Sequence, residues 1–266
     1  MTRAKRNYLP GLIWHITQRC HKREFLLKFG RDKRIWMEWM IAAKREFGLC
    51  VLSYTITSNH IHLLVRDWVE KAEESAIARS LHLAAGRLAQ EYNTRKGRSG
   101  AFWEDRYHAT AVESGEHLVK CVSYIDMNMV RAGVVRHPGE WPYGAFRELQ
   151  KPHVRFRNQL VDWEAAMEVL GMSNWSRLRE AREEWVREEL RRAEALARNP
   201  IWTESVAVGS DRFVNQVRER LGVRAKGRDV LSDSGDVFML RDPAKPYLRI
   251  FGGENEDLGP RKGGIS

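Results

Sequence analysis

The stretch LCVLSYTITSNHIHLLVRD, residues 49–67, narrows the fold more than any other part of the chain. Two runs rich in Val, Ile, Leu, Thr and Tyr flank the polar break Thr57-Ser58-Asn59, the pattern of two strands meeting at a turn. What surrounds this pair sets the architecture. GLIWHITQR (11–19), just after Pro10, alternates Ile13, His15 and Thr17 with Leu12, Trp14 and Ile16, and reads as a strand with both faces partly covered. From Asp32 to Phe47, the residues Ile35, Trp36, Trp39, Met40 and Ala43 recur at helical spacing, and Gly48 supplies a stop. A second helix runs from about Ser75 to Asn93 along Ile77, Leu81, Ala84, Leu88 and Tyr92. KGRSGAFWEDRYHATAVES (96–114) begins as a basic Gly/Ser turn and continues as a strand through Tyr107, Ala109 and Ala111. Ser114 is placed to cap a third helix, with Glu116 in its first turn, running to about Ala132 and ended by Gly133. The order β-α-β-β-α-β-α predicts an α+β fold, a ferredoxin-like antiparallel sheet layered by helices.

After HPGEWPYGAF (137–146) the character changes, which divides the chain into a first domain over 1–150, a helical extension over 151–223 and a tail over 224–266. In the extension, residues 174–198 form a heavily charged helix with Trp175, Leu178, Trp185, Leu190 and Ala193 on a rough stripe, and SDRFVNQVRERLG (210–222) a short amphipathic one. The tail is rich in Gly, Asp and Lys and reads as partly disordered, apart from VFML and YLRIF. The length of 266 residues suits one main domain plus an extension. At 43% hydrophobic and 10% aromatic residues, the chain is too apolar to be disordered throughout.

A formal charge of +10 and a pI near 9.7 favour a polyanionic partner, nucleic acid before an anionic membrane surface. Cys20, Cys50 and Cys121 are odd in number and far apart, which argues against a disulfide framework or zinc ribbon and fits small buried side chains in a reducing cytosol. No apolar run reaches the ~18 residues of a membrane span, and the basic N-terminus lacks a signal peptide's apolar core, so the expectation is a cytoplasmic protein.

Within 60–65, the two-residue period of a strand sends His60, His62 and Leu64 to one face. Two imidazoles so placed can converge on one cation, and with an added oxygen ligand they suit Mn²⁺, Zn²⁺ or, less comfortably, Mg²⁺. Alone, the pair reads more readily as two half-exposed histidines on a sheet edge. In SYIDMNMVRAG (123–133), Leu118, Val122, Ile125 and Met129 make the apolar stripe of the third helix, while Tyr124 and Asn128, four apart, leave it on a common face. A phenol beside an amide oxygen can be a nucleophile beside a third ligand, or a packed Tyr and an Asn near a helix end. Breaking a phosphodiester without water calls for a nucleophile, a Lewis acid and alignment, and tyrosine can attack phosphorus to conserve the bond as a phosphotyrosine.

NHIHLLV, GRSGxFWEDRY, ESxExL and YIDMNMVRAGVV, in this order, resemble the successive motifs of the single-tyrosine HUH transposases, nearest to the branch associated with repetitive extragenic palindromes (REP elements). WHITQR is similar to that family's first strand, and the likeness spans about residues 8–146. The resemblance implies an HUH fold in which His60, His62 and Asn128 hold a divalent metal, Mg²⁺ or Mn²⁺. Tyr124 would cleave single-stranded DNA next to a hairpin and stay joined to the 5′ phosphate. Met129 departs from the family's usual proline after the asparagine, which bears on the geometry of Asn128 but removes no reactive group. Arg98, Trp103, Arg106 and Tyr107 interleave charge with stacking faces suited to single-stranded DNA, and Arg131, about one turn past Asn128, could meet a phosphate. Arg3, Lys5 and Arg6 could form a basic arm. His15, His21, His82 and His108 receive no role beyond core or surface. The rival readings are a non-cleaving domesticated protein that holds structured DNA or RNA, and a two-histidine hydrolase using water. The resemblance favours a monomer.

Overall fold

The computed structural model describes residues 9–67, 75–150, 159–192, 197, 199–233 and 235–242. Four strands build its first half: β1 (Ile13–Arg19), β2 (Cys50–Ile56), β3 (His60–Arg66) and β4 (His108–Val112). They lie in the order β2-β3-β1-β4 with every neighbouring pair antiparallel. Helix α1 (Gly30–Phe47) links β1 to β2, α2 (Ala76–Lys96) links β3 to β4, and the two helices pack on each other. This is the ferredoxin-like arrangement expected from the element order. Gly48 ends α1 in the left-handed region at φ 70°, with its N–H on the Lys44 carbonyl, the conformation only glycine adopts without penalty.

Register then decides which side chains meet. β1 pairs with β3 so that Thr17 faces His62 and Arg19 faces His60. The pleat therefore gathers His15, Thr17, His60, His62 and Leu64 on one face of the sheet. Trp14, Ile16, Ile61, Leu63 and Val65 point to the other face and are essentially buried, each stabilising the fold by about 1.5–3 kcal/mol.

Across the histidine face runs α3 (Glu116–Asp126), followed by the single turn α4 (Asn128–Arg131). The apolar stripe Leu118, Val122, Ile125 and Met129 is buried as expected. Two details differ from the sequence reading. The helix breaks at Met127 (φ −74°, ψ −2°), so Asn128 opens a new turn instead of continuing the old one. Its N-cap is Gly115 rather than Ser114, because the chain enters the helix through φ 77°, ψ −136°, a conformation that a Cβ disfavours. Gly133 closes the segment at φ 66°.

Beyond this come α5 (Ala145–Gln150), α6 (Trp163–Val169), α7 (Trp175–Arg191), α8 (Ile201–Glu204) and α9 (Asp211–Leu221). Among these helices the structure adds a strand that the helical reading of 151–223 lacks: β5 (Ser205–Gly209) pairs parallel with β4, Ala111 against Ala207. SVAVG has no polar alternation because all five residues are buried, and it directly follows α8, so no periodicity announces it. β6 (Asp229–Ser232) and β7 (Phe238–Arg241), the latter overlapping VFML, complete a sheet of seven strands among the described residues, in the order β2-β3-β1-β4-β5-β7-β6. YLRIF and the Arg3, Lys5, Arg6 arm lie outside the described residues. The three cysteines are buried, and among the described residues no helix is long and apolar enough to cross a membrane.

The charged helix α7 is not merely a solvated face. Arg182 reaches inward from it to Asp126 in α3, with guanidinium-to-carboxylate distances of 2.6, 2.7 and 3.1 Å and a further bond of 3.3 Å to the Ser53 hydroxyl. Both side chains are buried. The pair joins the extension to the helix that carries Tyr124.

Candidate active site

At the centre of the histidine face, His62 stands between two partners. Its Nδ1 lies 2.9 Å from Nε2 of His15 on the neighbouring strand, and its Nε2 lies 2.9 Å from the side-chain amide of Asn128. His15 in turn sets Nδ1 2.8 Å from the backbone carbonyl of Trp202, in the short helix α8. The proton positions follow from this chain of contacts. A carbonyl only accepts, so His15 Nδ1 carries the proton. Burial without a neighbouring carboxylate drives the His15 pKa from 6.5 to about 3, so the ring is neutral and its Nε2 is an acceptor. His62 must then donate from Nδ1, which leaves Nε2 as its basic nitrogen, turned to Asn128. Burial also holds the His62 pKa well below its ordinary value, and electrostatic coupling to His60, His15, Arg131 and Arg19 adds to the effect.

His60 takes the same tautomer by a different route. Asn59 donates its amide to the Arg23 carbonyl at 3.1 Å, which turns its Oδ1 toward His60 Nδ1 at 2.7 Å. The Thr57 hydroxyl, 3.0 Å from the same nitrogen, and the His60 N–H bonded to it at 3.0 Å fix the turn. His60 and His62 stand with ring centroids 4.8 Å apart and nearly perpendicular.

Tyr124 meets this cluster edge-on, its ring 5.7 Å from His62 and 6.1 Å from His15, with the Trp202 ring 6.3 Å away. Arg131 lies over the tyrosine ring at 4.1 Å and donates to the Tyr124 carbonyl. The structure thus brings together His60, His62, Tyr124, Asn128 and Arg131. Arg98 is spent on the turn after α2, bonded to the Asn93 side chain at 3.1 Å and the Ala101 carbonyl at 3.0 Å. Trp103 is half-buried and pins that turn through its indole N–H to the Ala85 carbonyl at 3.0 Å. Arg106 is exposed ahead of β4, and Tyr107 packs against the core at the same place.

Three contributors escaped the sequence reading. Asn59 was placed only in the polar break, although its position directly before His60 is a local signal. His15 is a histidine among the apolar residues Ile13, Trp14 and Ile16, but its partner depends on the β1–β3 register. The Trp202 carbonyl carries no side-chain signal at all.

Among the described residues no group of three or more His, Cys, Asp or Glu is set to hold a metal ion. The candidate set is a mixed one, two imidazoles and an amide. It fits a divalent ion: the Nε2 atoms of His60 and His62 are the basic ones, and turning the Asn128 amide end for end would present its oxygen. The 2.9 Å from His62 Nε2 to that amide is close to the ~3 Å expected between adjacent donors at bonds of ~2.1 Å.

The neutral buried histidines set an acid limit. In the unfolded chain they protonate below about 6.5, whereas in the fold they stay neutral, His15 down to about 3. Stability is therefore full above pH 6.5 and falls as the pH drops from there toward 3, by up to ~1.4 kcal/mol per pH unit for each ring. Asp126 and Glu148, whose pKa values burial raises, act in the opposite direction. The contribution is thus read as a difference: in EDTA, urea unfolding of the wild type should lose ground to His15→Phe steadily between pH 6 and 4. Parallel curves would contradict a neutral His15.

Fold and site together amount to a ferredoxin-like sheet that presents two histidines from one strand beside a helical tyrosine. Over residues 9–128 the chain matches the family model described as "Transposase IS200 like". Two solved structures are similar to the chain. One is a REP-associated tyrosine transposase bound to a REP hairpin, 18% identical, with a TM-score of 0.44, covering 60% of this chain and 91% of that one. The other is described as "a putative transposase from Deinococcus radiodurans R1", 13% identical, with a TM-score of 0.32, covering 50% of this chain and 98% of that one. No curated protein matches the chain.

Proposed function

We propose that the protein cleaves and rejoins single-stranded DNA beside hairpin repeat elements, with Tyr124 as nucleophile. The observation that carries this reading is the meeting of the Tyr124 ring with the His60, His62 and Asn128 cluster under the Arg131 guanidinium. The phenol oxygen attacks phosphorus and the bond to the 3′ oxygen breaks, leaving a 3′ hydroxyl and a 5′ phosphate joined to the tyrosine. The phenol proton departs and the 3′ oxygen gains one, so no nucleotide is consumed, and reversal with another 3′ hydroxyl rejoins the strand. His60, His62 and Asn128 would hold a divalent ion, Mg²⁺ or Mn²⁺, which when bound draws charge from the non-bridging phosphate oxygens. Arg131 holds a cation against the tyrosine ring, where it favours the developing phenolate. His15, Asn59 and the Trp202 carbonyl act on orientation, holding the two imidazoles in the tautomer that presents Nε2. The resemblance of the motif order supports REP-type hairpins as the substrate.

The test uses the full chain with an oligonucleotide carrying such a hairpin, labelled on the side that retains the 5′ phosphate. With Mn²⁺ or Mg²⁺, a band of protein covalently joined to the label should appear, and EDTA should prevent it. Cleavage without an adduct would instead indicate attack by water. Binding without cleavage would indicate a protein that only holds the hairpin.

A further inference from the structure

Between β1 and α1 the chain makes a loop, HKREFLLKF (21–29), whose construction the site does not explain. Phe25 is 66% exposed and Phe29 58% exposed; among the described residues they are the aromatic members of the exposed large apolar side chains. Two rings left in water four residues apart are a cost unless something covers them. Of the three residues between them, Leu26 and Leu27 are buried and hold the loop down. Leu27 donates its N–H to the Ser58 carbonyl at 2.9 Å, and the buried Lys33 ammonium binds the carbonyls of Leu27 at 2.6 Å and Lys28 at 3.0 Å. Lys22 and Arg23 adopt left-handed φ values of 50° and 59°, unusual for side chains of their kind. The rings are therefore presented by a braced loop.

Cations lie beside the Phe29 ring and along the loop. The ammonium groups of Lys28 and Lys96 lie 5.9 and 5.7 Å from the Phe29 ring centre, and Lys22, Arg23, Lys28 and Lys96 are all exposed. Glu24 is the acidic residue within the loop, and it stands 3.9 Å from Arg98. The loop is continuous with the metal-ligand turn, through the Cys20 N–H on the Asn59 carbonyl at 2.7 Å and the Asn59 amide on the Arg23 carbonyl. Exposed aromatic faces among cations match the two chemistries of an unpaired nucleotide, a flat base and a phosphate.

We propose that Phe25 and Phe29 form a stacking platform for unpaired bases of a DNA strand, whose phosphates meet Lys22, Arg23, Lys28 and Lys96 on its way to the histidine cluster. This rests on the reading above that the substrate is single-stranded. A duplex keeps its base faces stacked inside, so the platform discriminates for single strands.

The experiment measures anisotropy with a labelled unstructured DNA strand and a blunt duplex of the same sequence, in full-length Tyr124→Phe protein to prevent cutting. Phe25→Ala and Phe29→Ala should each weaken single-strand binding by roughly tenfold while leaving duplex binding unchanged. Phe25→Trp and Phe29→Trp should retain affinity, and their fluorescence should be quenched as the strand binds. Lys28→Ala with Lys96→Ala should reduce the salt dependence, which the phenylalanine changes should not. Single-strand affinity unaltered in the Phe25→Ala, Phe29→Ala double variant would overturn the platform while leaving the proposed substrate intact. A parent protein that binds no single strand would overturn both.

Discussion

Tyr124→Phe should leave a folded protein that still binds a hairpin oligonucleotide but forms no covalent adduct with it. Tyr124 is 8% exposed, and most of what it contributes to the fold is its ring, set against His62, His15, Trp202 and Arg131. Phenylalanine keeps that ring and loses only the hydroxyl, at a cost of about 1 kcal/mol in stability. The chemistry has no such tolerance, because the attacking oxygen itself is gone. The measurement is a denaturing gel of labelled hairpin with Mn²⁺, run beside a binding curve and a melting curve for the same preparation. An adduct of normal yield in the phenylalanine protein would assign the nucleophile elsewhere.

The second large effect lies far from the reacting atoms. Arg182→Ala should destabilise the protein by about 3–5 kcal/mol, because it strands the Asp126 carboxylate in the core. Burial already raises the Asp126 pKa, and the Arg182 charge and hydrogen bonds are what oppose that shift. Without them the carboxyl must take a proton or admit water. The guanidinium also packs near Phe146 and Trp163, each 5.9 Å away, so the variant loses contact area as well as charge. Asp126 sits between Tyr124 and Asn128, so adduct yield should fall with stability, well below the melting point. Arg182→Met combined with Asp126→Leu should recover much of the loss, since a buried pair replaced by apolar side chains leaves no charge unpaired. A melting temperature within a degree or two of wild type for Arg182→Ala would show that the pair contributes little to the fold.

These two residues mark the difference between what was legible and what was not. The His60–His62 pair and the Tyr124–Asn128 pair are visible in the sequence because each is a local geometry: period two on a strand, one turn on a helix. The helix break before Asn128 was not legible, for Met127 carries no breaker signal and its bridge-region backbone arises from the packing around it. Arg182 read as one more charge on a solvated helix, since nothing within α7 reveals that this arginine alone turns to a carboxylate 56 residues away. Phe25 and Phe29 sit in a sequence of mixed charge and apolar character that does not tell which rings are buried and which are left in water.

By itself the sequence determined the order of strands and helices up to the third helix, the histidine face, the tyrosine and the amide, because hydrophobic period and turn chemistry act over a few residues. Only the tertiary structure decided the parts that need distant backbone: the seven-stranded sheet closed by β5, β7 and β6, and the Trp202 carbonyl delivered to His15 across 187 residues. It likewise decided the tautomer of His62, which follows from that contact. A proton on an imidazole nitrogen is set by what the other nitrogen meets, and what it meets is fixed by strand register and by the return of the chain, not by its neighbours in sequence.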